Sequence, residues 1–325
     1  MRVAIYGAGA TGGYLGAKLA LAHVNTTLIA RGPHLDAMRR DGVRLLADGE
    51  EVVAHPVCTD NPREAGPQDY VIITLKAHSL PKVVDAMQPL LGPETAVVTA
   101  QNGLPWWYFH QVGDPWEGLR LESVDPGGRL WTDIGPERAI GCVVYPASEI
   151  VEPGVIRHLS GNRFTLGEPS GKKTMRVKAL SRALIRAGVR APVRNIRHEI
   201  WLKLWGSVSF NPISALTLAT LDRVATEPGT RAVSRAMMEE TREIAAALGI
   251  QLRMNIERRI EGAVAVGAHR TSMLQDLEKG RAMEIDALVT SVQELGRVVG
   301  VATPAIDIVL ALVRQRAAVA GLYPG

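Results

Sequence analysis

The feature that most constrains this chain lies within its first dozen residues. Arg2 to Tyr6 is a short apolar, β-branched run that reads as a buried strand. It leads directly into Gly7-Ala8-Gly9-Ala10-Thr11-Gly12, and a helical pattern follows from about Gly13 to Ala22. A GxGxxG match on its own is weak. Placed between a strand and a helix it becomes a dinucleotide fingerprint. Gly7 permits the tight turn, Gly9 lets the backbone approach a pyrophosphate, and Gly12 lets helix and strand pack closely. The pyrophosphate would sit on the helix N-terminus, where unpaired N–H groups and the helix dipole favour anions. The alternative is a plain glycine turn. A secretory leader fits less well, because the segment is glycine-rich and patterned as strand plus turn.

The second strand decides which dinucleotide is expected. An NAD site usually places Asp or Glu at its end, for the ribose 2′-hydroxyl. Here the strand runs Thr26 to Ala30 and ends in Arg31-Gly32, with no acid. A guanidinium suits a 2′-phosphate through charge-assisted, often bidentate hydrogen bonds. The expectation is therefore NADP (NADPH) rather than NAD, with a solvated surface arginine as the alternative.

Further buried strands are expected at Val71–Leu75 and Ala96–Ala100, with a helix over Val83–Leu91 between them. Alternating strands and helices predict an α/β fold with a Rossmann-type, doubly wound parallel sheet. Residues 104 to about 139 break the rhythm with four of the chain's six tryptophans among many Pro and Gly, and read as an inserted loop or hairpin. Strand character returns from Ile140 to Leu166, and Lys172–Ala187 reads as a helix. After about Arg194 only helical spacing remains, over Arg231–Leu248, Met254–Val266 and Arg281–Val299, with Gly249 placed as a helix stop. The expected division is a dinucleotide-binding domain over 1–194 and an all-helical C-terminal domain over 195–325.

The totals exclude several classes. The 325 residues are 46% hydrophobic and 22% charged, ordinary for a globular protein of two domains. A net charge of +4, without a run of five basic residues, suits an anionic small molecule better than nucleic acid. No apolar run is long enough to cross a membrane. Cys58 and Cys142 form neither a disulfide framework nor a metal spacing, and His198-Glu199 fails the HExxH pattern because position 202 is Leu. The expectation is a cytoplasmic protein without a metal; its helical domain leaves room for a homodimer.

Ligands of doubly wound sheets bind outside the carboxyl ends of the strands. Two strand ends carry polar residues there: Lys76 in Lys76-Ala77-His78, and Asn102 in Gln101-Asn102-Gly103. Lys76 could reach a cofactor phosphate or a substrate carboxylate, and Asn102 the nicotinamide or the substrate. A solvated lysine and an ordinary Asn-Gly turn are the alternatives. The stretch NIRHEIWLKLWGSVSFNPISA, residues 195–215, is a helix that is apolar around most of its circumference. It carries Lys203, Ser207 and Asn211 along one stripe. Glu199 and Lys203 have the spacing of a surface ion pair. Yet an ammonium among Ile200, Leu204 and Phe210 would be partly desolvated, which brings it toward general-acid range. Asn211-Pro212 predicts that the helix ends there. Ser272 fits a capping box and Glu284 a solvated helix face, unless they belong to a site.

These pieces together resemble the ketopantoate reductases (2-dehydropantoate 2-reductases). The matching segments are GAGATGG, Arg31, TLKA at 74–77, QNG at 101–103, NIRHEIWLKL…NP at 195–212 and SMLQDLEKGRAMEID at 272–286, which together span nearly the whole chain. The resemblance implies a Rossmann domain that binds NADPH, a helical second domain and a 2-oxo acid substrate. It implies Lys203 as general acid and Glu284 as a holder of the substrate or reacting hydroxyl. Asn102, Asn211 and Ser272 become substrate contacts, Lys76 lies near cofactor and substrate, and Arg31 faces the 2′-phosphate.

The chain departs from that pattern in places. Ser207 stands where some members have asparagine, Met283 where others have threonine, and the 104–139 stretch looks longer than in compact members, as a lid or subunit contact would be. Two other readings remain open. One is a hydroxyacid dehydrogenase of the 6-phosphogluconate type, or a reductase of another 2-oxo acid. The other is a non-catalytic NADP-binding sensor, which would keep Arg31 and not need Lys203.

Overall fold

The computed structural model describes residues 1–47 and 49–323. The chain divides into two compact units. The first holds residues 1–101, 105–120 and 125–196; the second holds 102–104, 121–124 and 197 onward. Two short segments from the Trp-rich region thus belong to the second unit, well before the chain enters it for good.

The first unit opens with β1 (Arg2–Tyr6), α1 (Ala10–Leu21), β2 (Asn25–Ile29), α2 (Gly32–Asp41), β3 (Val43–Ala47) and β4 (Glu50–Ala54). It continues with β5 (Val57–Thr59), α3 (Pro62–Ala65), β6 (Gln68–Ile73), α4 (Val84–Met87), β7 (Leu91–Thr99) and α5 (Arg129–Asp133). It closes with β8 (Ala139–Val144), β9 (Ala147–Glu152), β10 (Val155–Ser160), β11 (Phe164–Gly167) and α6 (Met175–Arg186). The main sheet has the order β11-β8-β7-β6-β1-β2-β5. All its neighbours are parallel except β8 and β11. The order reverses between β1 and β6, which puts the Gly7 turn at the topological switch point of a doubly wound sheet. The expected α/β class and parallel sheet are present. A second sheet, β4-β3-β10-β9, lies against α1 on the side away from the main sheet and has no counterpart in the sequence reading. Between the two sheets Gly12 to Ala17 and Leu19 of α1 are all buried. Tyr14 stacks on His158 with ring centroids 4.8 Å apart.

Two expected elements differ. The helix expected over Val83–Leu91 is a single α-turn, α4, between 3-10 turns. Pro81 and Pro89 each lack the N–H a continuous helix would use. In the region 104–139 only Ala139, which opens β8, is in a strand among the described residues; the rest consists of turns, 3-10 segments and α5. The aromatics at 106–109 are core, whereas Trp116 and Trp131 are half-buried. Trp106, Trp107, Tyr108 and Phe109 are all at most 3% exposed. The Trp107 indole donates to Thr99 Oγ1 at 2.9 Å, anchoring the segment to the end of β7.

In the second unit every described element from α7 onward is helical: α7 (Ile196–Thr217), α8 (Leu221–Thr226), α9 (Pro228–Ala247), α10 (Ile256–Ala265), α11 (Ser272–Glu278), α12 (Ser291–Val299) and α13 (Pro304–Val319). α9 ends where Gly249 was expected to stop it: Gly249 has φ +79° and Ile250 N–H donates back to Ala245 O at 2.8 Å. A π-helical turn, Asp286–Thr290, precedes α12, so the long helix expected from Arg281 begins later. α7 does not end at Asn211 but runs through Pro212 to Thr217. Proline removes one N–H, whereas the surrounding Phe210, Ile213 and Ala215 are all buried, and that packing holds the helix together.

Truncation of Trp107 to alanine should cost about 3–5 kcal/mol, because it empties a fully buried site and strands Thr99. A thermal or denaturant melt checks this; an unchanged midpoint would restore the surface-insertion reading.

Candidate active site

In the first unit the Gly7 turn is shaped by its neighbours. Gly7 and Ala8 N–H both donate to Ile29 O at the end of β2, at 3.1 and 3.0 Å. Gly7 has φ +101°, and a Cβ there would lie 2.6 Å from Leu75 Cδ2. At Gly12 a Cβ would lie 2.5 Å from both Gly7 O and Thr74 Oγ1. Thr74 donates its hydroxyl to Gly7 O at 2.7 Å, so the end of β6 ties down the turn. Gly9 differs from both: a Cβ there would meet nothing nearer than Gly7 O at 4.0 Å. The fold itself does not need glycine at 9, whereas a ligand pressed against the backbone would. The first helical bond of α1 runs from Gly13 N–H to Gly9 O at 2.7 Å, so the N–H groups of Ala10, Thr11 and Gly12 precede it. No acidic residue lies in that first turn. The turn fits a pyrophosphate.

Arg31 follows β2 as the N-cap residue of α2 and is exposed; among the described residues no hydrogen bond or ion pair engages its side chain. That position, past the end of β2, is where the fingerprint places the adenosine ribose. Lys76 is half-buried, three residues past the end of β6. Thr74 went unnoticed as a structural support, although it opens the TLKA segment.

In the second unit three of the expected residues form one chain of hydrogen bonds. Lys203 Nζ donates to Asn102 Oδ1 at 2.7 Å. Asn102 Nδ2 donates to Glu284 Oε2 at 3.0 Å. Lys203 is half-buried on α7, and Glu284 is only 8% exposed, so a solvated helix face is not its setting. A carboxylate buried this far needs donors, and the Asn102 amide supplies one. Asn102 thus faces protein groups that the sequence did not assign to it, and its amide orientation follows from them. Its neighbour explains the Asn-Gly pair. Gly103 has φ +84°, and a Cβ there would lie 2.1 Å from Ala287 O. Leu104 N–H donates to that same carbonyl at 3.0 Å. The QNG turn is therefore seated on the π-helical turn that follows Glu284.

Ser207 donates to carbonyls of its own helix, Lys203 O at 3.1 Å and Leu204 O at 3.3 Å. Its oxygen can still accept from a ligand hydroxyl. Asn211 Nδ2 donates to Ser272 Oγ at 3.2 Å, bringing two expected substrate contacts together. The cap of α11 is Thr271, whose side chain accepts from Leu274 N–H at 3.3 Å, so Ser272 is not the capping residue. The half-buried Cys58 thiol is pushed up to about 11 by burial, which rules it out as a nucleophile near neutral pH. Among the described residues no cluster of His, Cys, Asp and Glu could hold a metal, and no helix is long and apolar enough to cross a membrane. Substituting Gly103 by alanine should displace Asn102 and lower kcat/KM at least about ten-fold, the effect of losing one charge-assisted hydrogen bond. Steady-state kinetics on the folded variant reads this directly, and an unaltered kcat/KM would contradict it.

Comparison with known proteins identifies the family of the chain. Residues 3–114 match the family model described as ketopantoate reductase PanE/ApbA, and residues 195–317 match its C-terminal counterpart. A 2-dehydropantoate 2-reductase of Mesorhizobium japonicum is 56% identical over 99% of this chain and 100% of its own length. A crystal structure from Ralstonia solanacearum, 44% identical, superposes with a TM-score of 0.95 over 99% of both chains. D-mandelate dehydrogenase, solved as a ternary complex with NADH and anilino(oxo)acetate, has a TM-score of 0.82 over 99% of this chain and 100% of its own. At 21% identity it bears on the fold alone. With both family models matched and a relative this similar over the full length, the chain belongs to the ketopantoate reductase family of oxidoreductases.

Proposed function

We propose that this chain reduces the C2 ketone of 2-dehydropantoate to (R)-pantoate with NADPH, a step toward pantothenate and coenzyme A. The observation that carries the reading is the Lys203–Asn102–Glu284 chain of hydrogen bonds, at 2.7 and 3.0 Å. The name of the 56% identical relative supports the same substrate.

The nicotinamide, when bound, supplies the hydride. Ala10, Thr11 and Gly12 would hold the pyrophosphate on the α1 N-terminus, Lys76 would assist near the phosphates, and Arg31 would take the 2′-phosphate. Lys203 does the acid work. It has three N–H donors, one of them engaged by Asn102. The ammonium would face the ketone oxygen, stabilise the negative charge that grows there and donate the proton. Asn102 fixes the direction of the ammonium, and the buried Glu284 fixes Asn102. Asn211 and Ser272 would hold the substrate's polar groups, with Ser207 accepting from its hydroxyl.

A second reading keeps the chemistry and changes the 2-oxo acid. It is favoured by Ser207 and Met283, where some members carry asparagine and threonine. A panel of 2-oxo acids separates the two.

Lys203→Ala should slow turnover by roughly 10²–10⁴-fold, the contribution of a positioned general acid, without shifting the thermal midpoint; normal turnover would refute the assignment. Arg31→Ala should raise the KM for NADPH about ten-fold or more, the worth of a charge-assisted contact, while leaving that for NADH alone. An equal effect on both cofactors would remove Arg31 from the 2′-phosphate.

A further inference from the structure

The His34 imidazole touches the glycine turn. It lies in the first turn of α2, three residues after Arg31, and is half-buried. Its Nε2 lies 2.9 Å from Ala8 O, a carbonyl that can only accept. On the other side, Gly154 N–H, which can only donate, points at Nδ1 from 2.9 Å. Those two partners fix the tautomer: Nε2 carries the proton and Nδ1 is bare. The ring therefore bridges the second residue of the GxGxxG turn and the β9–β10 hairpin of the small sheet. Ala8 is then held at both ends, its N–H by Ile29 O at 3.0 Å and its carbonyl by His34.

We propose that neutral His34 is a positioning residue for dinucleotide binding, which locks the Ala8–Gly9 peptide in the orientation the pyrophosphate needs, and that its protonation releases the hairpin and weakens the nucleotide. The inference rests on the reading of the Gly7–Gly12 turn as the dinucleotide site.

The chemistry has one direction. A protonated ring would carry N–H at Nδ1 facing the Gly154 N–H, donor against donor. The position disfavours that cation, since the N-terminal turn of a helix repels positive charge. Burial also lowers the ring's pKa from the usual 6.5, partly opposed by the bond to Ala8. No charged side chain is among the influences on it. Arg31 and Asp36 flank it on α2, Glu152 precedes the hairpin turn, and the Gly7–Gly12 turn carries no charge. A histidine with a lowered pKa keeps its neutral contacts at pH 6.5 and above, and loses them only as the pH falls through its own, lower value.

The test is calorimetric titration with NADP⁺, which survives acid, on the intact wild-type, His34→Ala and His34→Gln proteins between about pH 5.5 and 8. At pH 8, His34→Ala should bind at least about ten-fold more weakly, the cost of leaving buried polar groups unpaired. His34→Gln, whose amide can still donate to Ala8 O, should recover part of the loss. As the pH falls, wild type should lose affinity more steeply than His34→Gln. The 2′-phosphate titrates near pH 6 in all three, so the difference between proteins isolates the ring. With saturating cofactor, kcat should be retained in both variants. Equal affinity in His34→Ala, or parallel pH slopes for wild type and His34→Gln, would overturn the proposal while leaving the nucleotide site intact. Should His34→Ala not fold, the slopes of the other two proteins still decide. Wild type that fails to bind NADP⁺ at any pH would remove the dinucleotide reading and this inference with it.

Discussion

One primary amide organises the chemistry of this molecule. Asn102 has a single oxygen and a single nitrogen, so it can accept from a cation on one side and donate to a carboxylate on the other in only one orientation. Lys203 and Glu284 occupy those two sides at 2.7 and 3.0 Å. The arrangement gives a buried acid a donor and a half-buried ammonium an acceptor through one side chain. Gly103 is the condition for this geometry, because any side chain at 103 would collide with Ala287 O.

The composition of α7 has a related explanation. Small polar residues persist in a buried helix because their hydroxyls return to carbonyls of their own chain. Ser209 donates to Trp205 O, Ser214 to Ala219 O and Thr217 to Ile213 O. Ser207 does the same with Lys203 O. The stripe of Lys203, Ser207 and Asn211 is therefore of two kinds. Lys203 and Asn211 reach across to other segments, whereas Ser207 satisfies its donor locally and keeps only acceptor capacity.

Much of the fold could be read in advance where local chemistry decides it. β1 and its glycine turn are specified by a β-branched run and by three glycines with separate steric duties; Gly249 ends α9 because the chain there needs positive φ. What escaped prediction depends on distant partners. Pro212 looked like a helix terminator because its environment was invisible, and burial on several sides overrides the missing N–H. The tryptophans at 106 and 107 looked like surface insertion because their burial, and the Thr99 acceptor of Trp107, depend on segments distant from their own. The small sheet was missed because β4 exposes nearly every residue and so shows no alternation. At the site, residue types and spacing singled out Lys203 and Asn102, and the family resemblance added Glu284, but neither showed that Asn102 joins the other two. His34 and Thr74, which brace the glycine turn, have no signature in sequence, since their role lies in contacts to backbone carbonyls far along the chain.

The most direct test of the account is NADPH consumption, followed by absorbance, with 2-dehydropantoate beside a panel of other 2-oxo acids and with NADH in parallel. The account predicts rapid turnover with 2-dehydropantoate and NADPH, and much slower turnover with NADH. Absence of turnover with every 2-oxo acid, in a protein that binds NADPH, would contradict it.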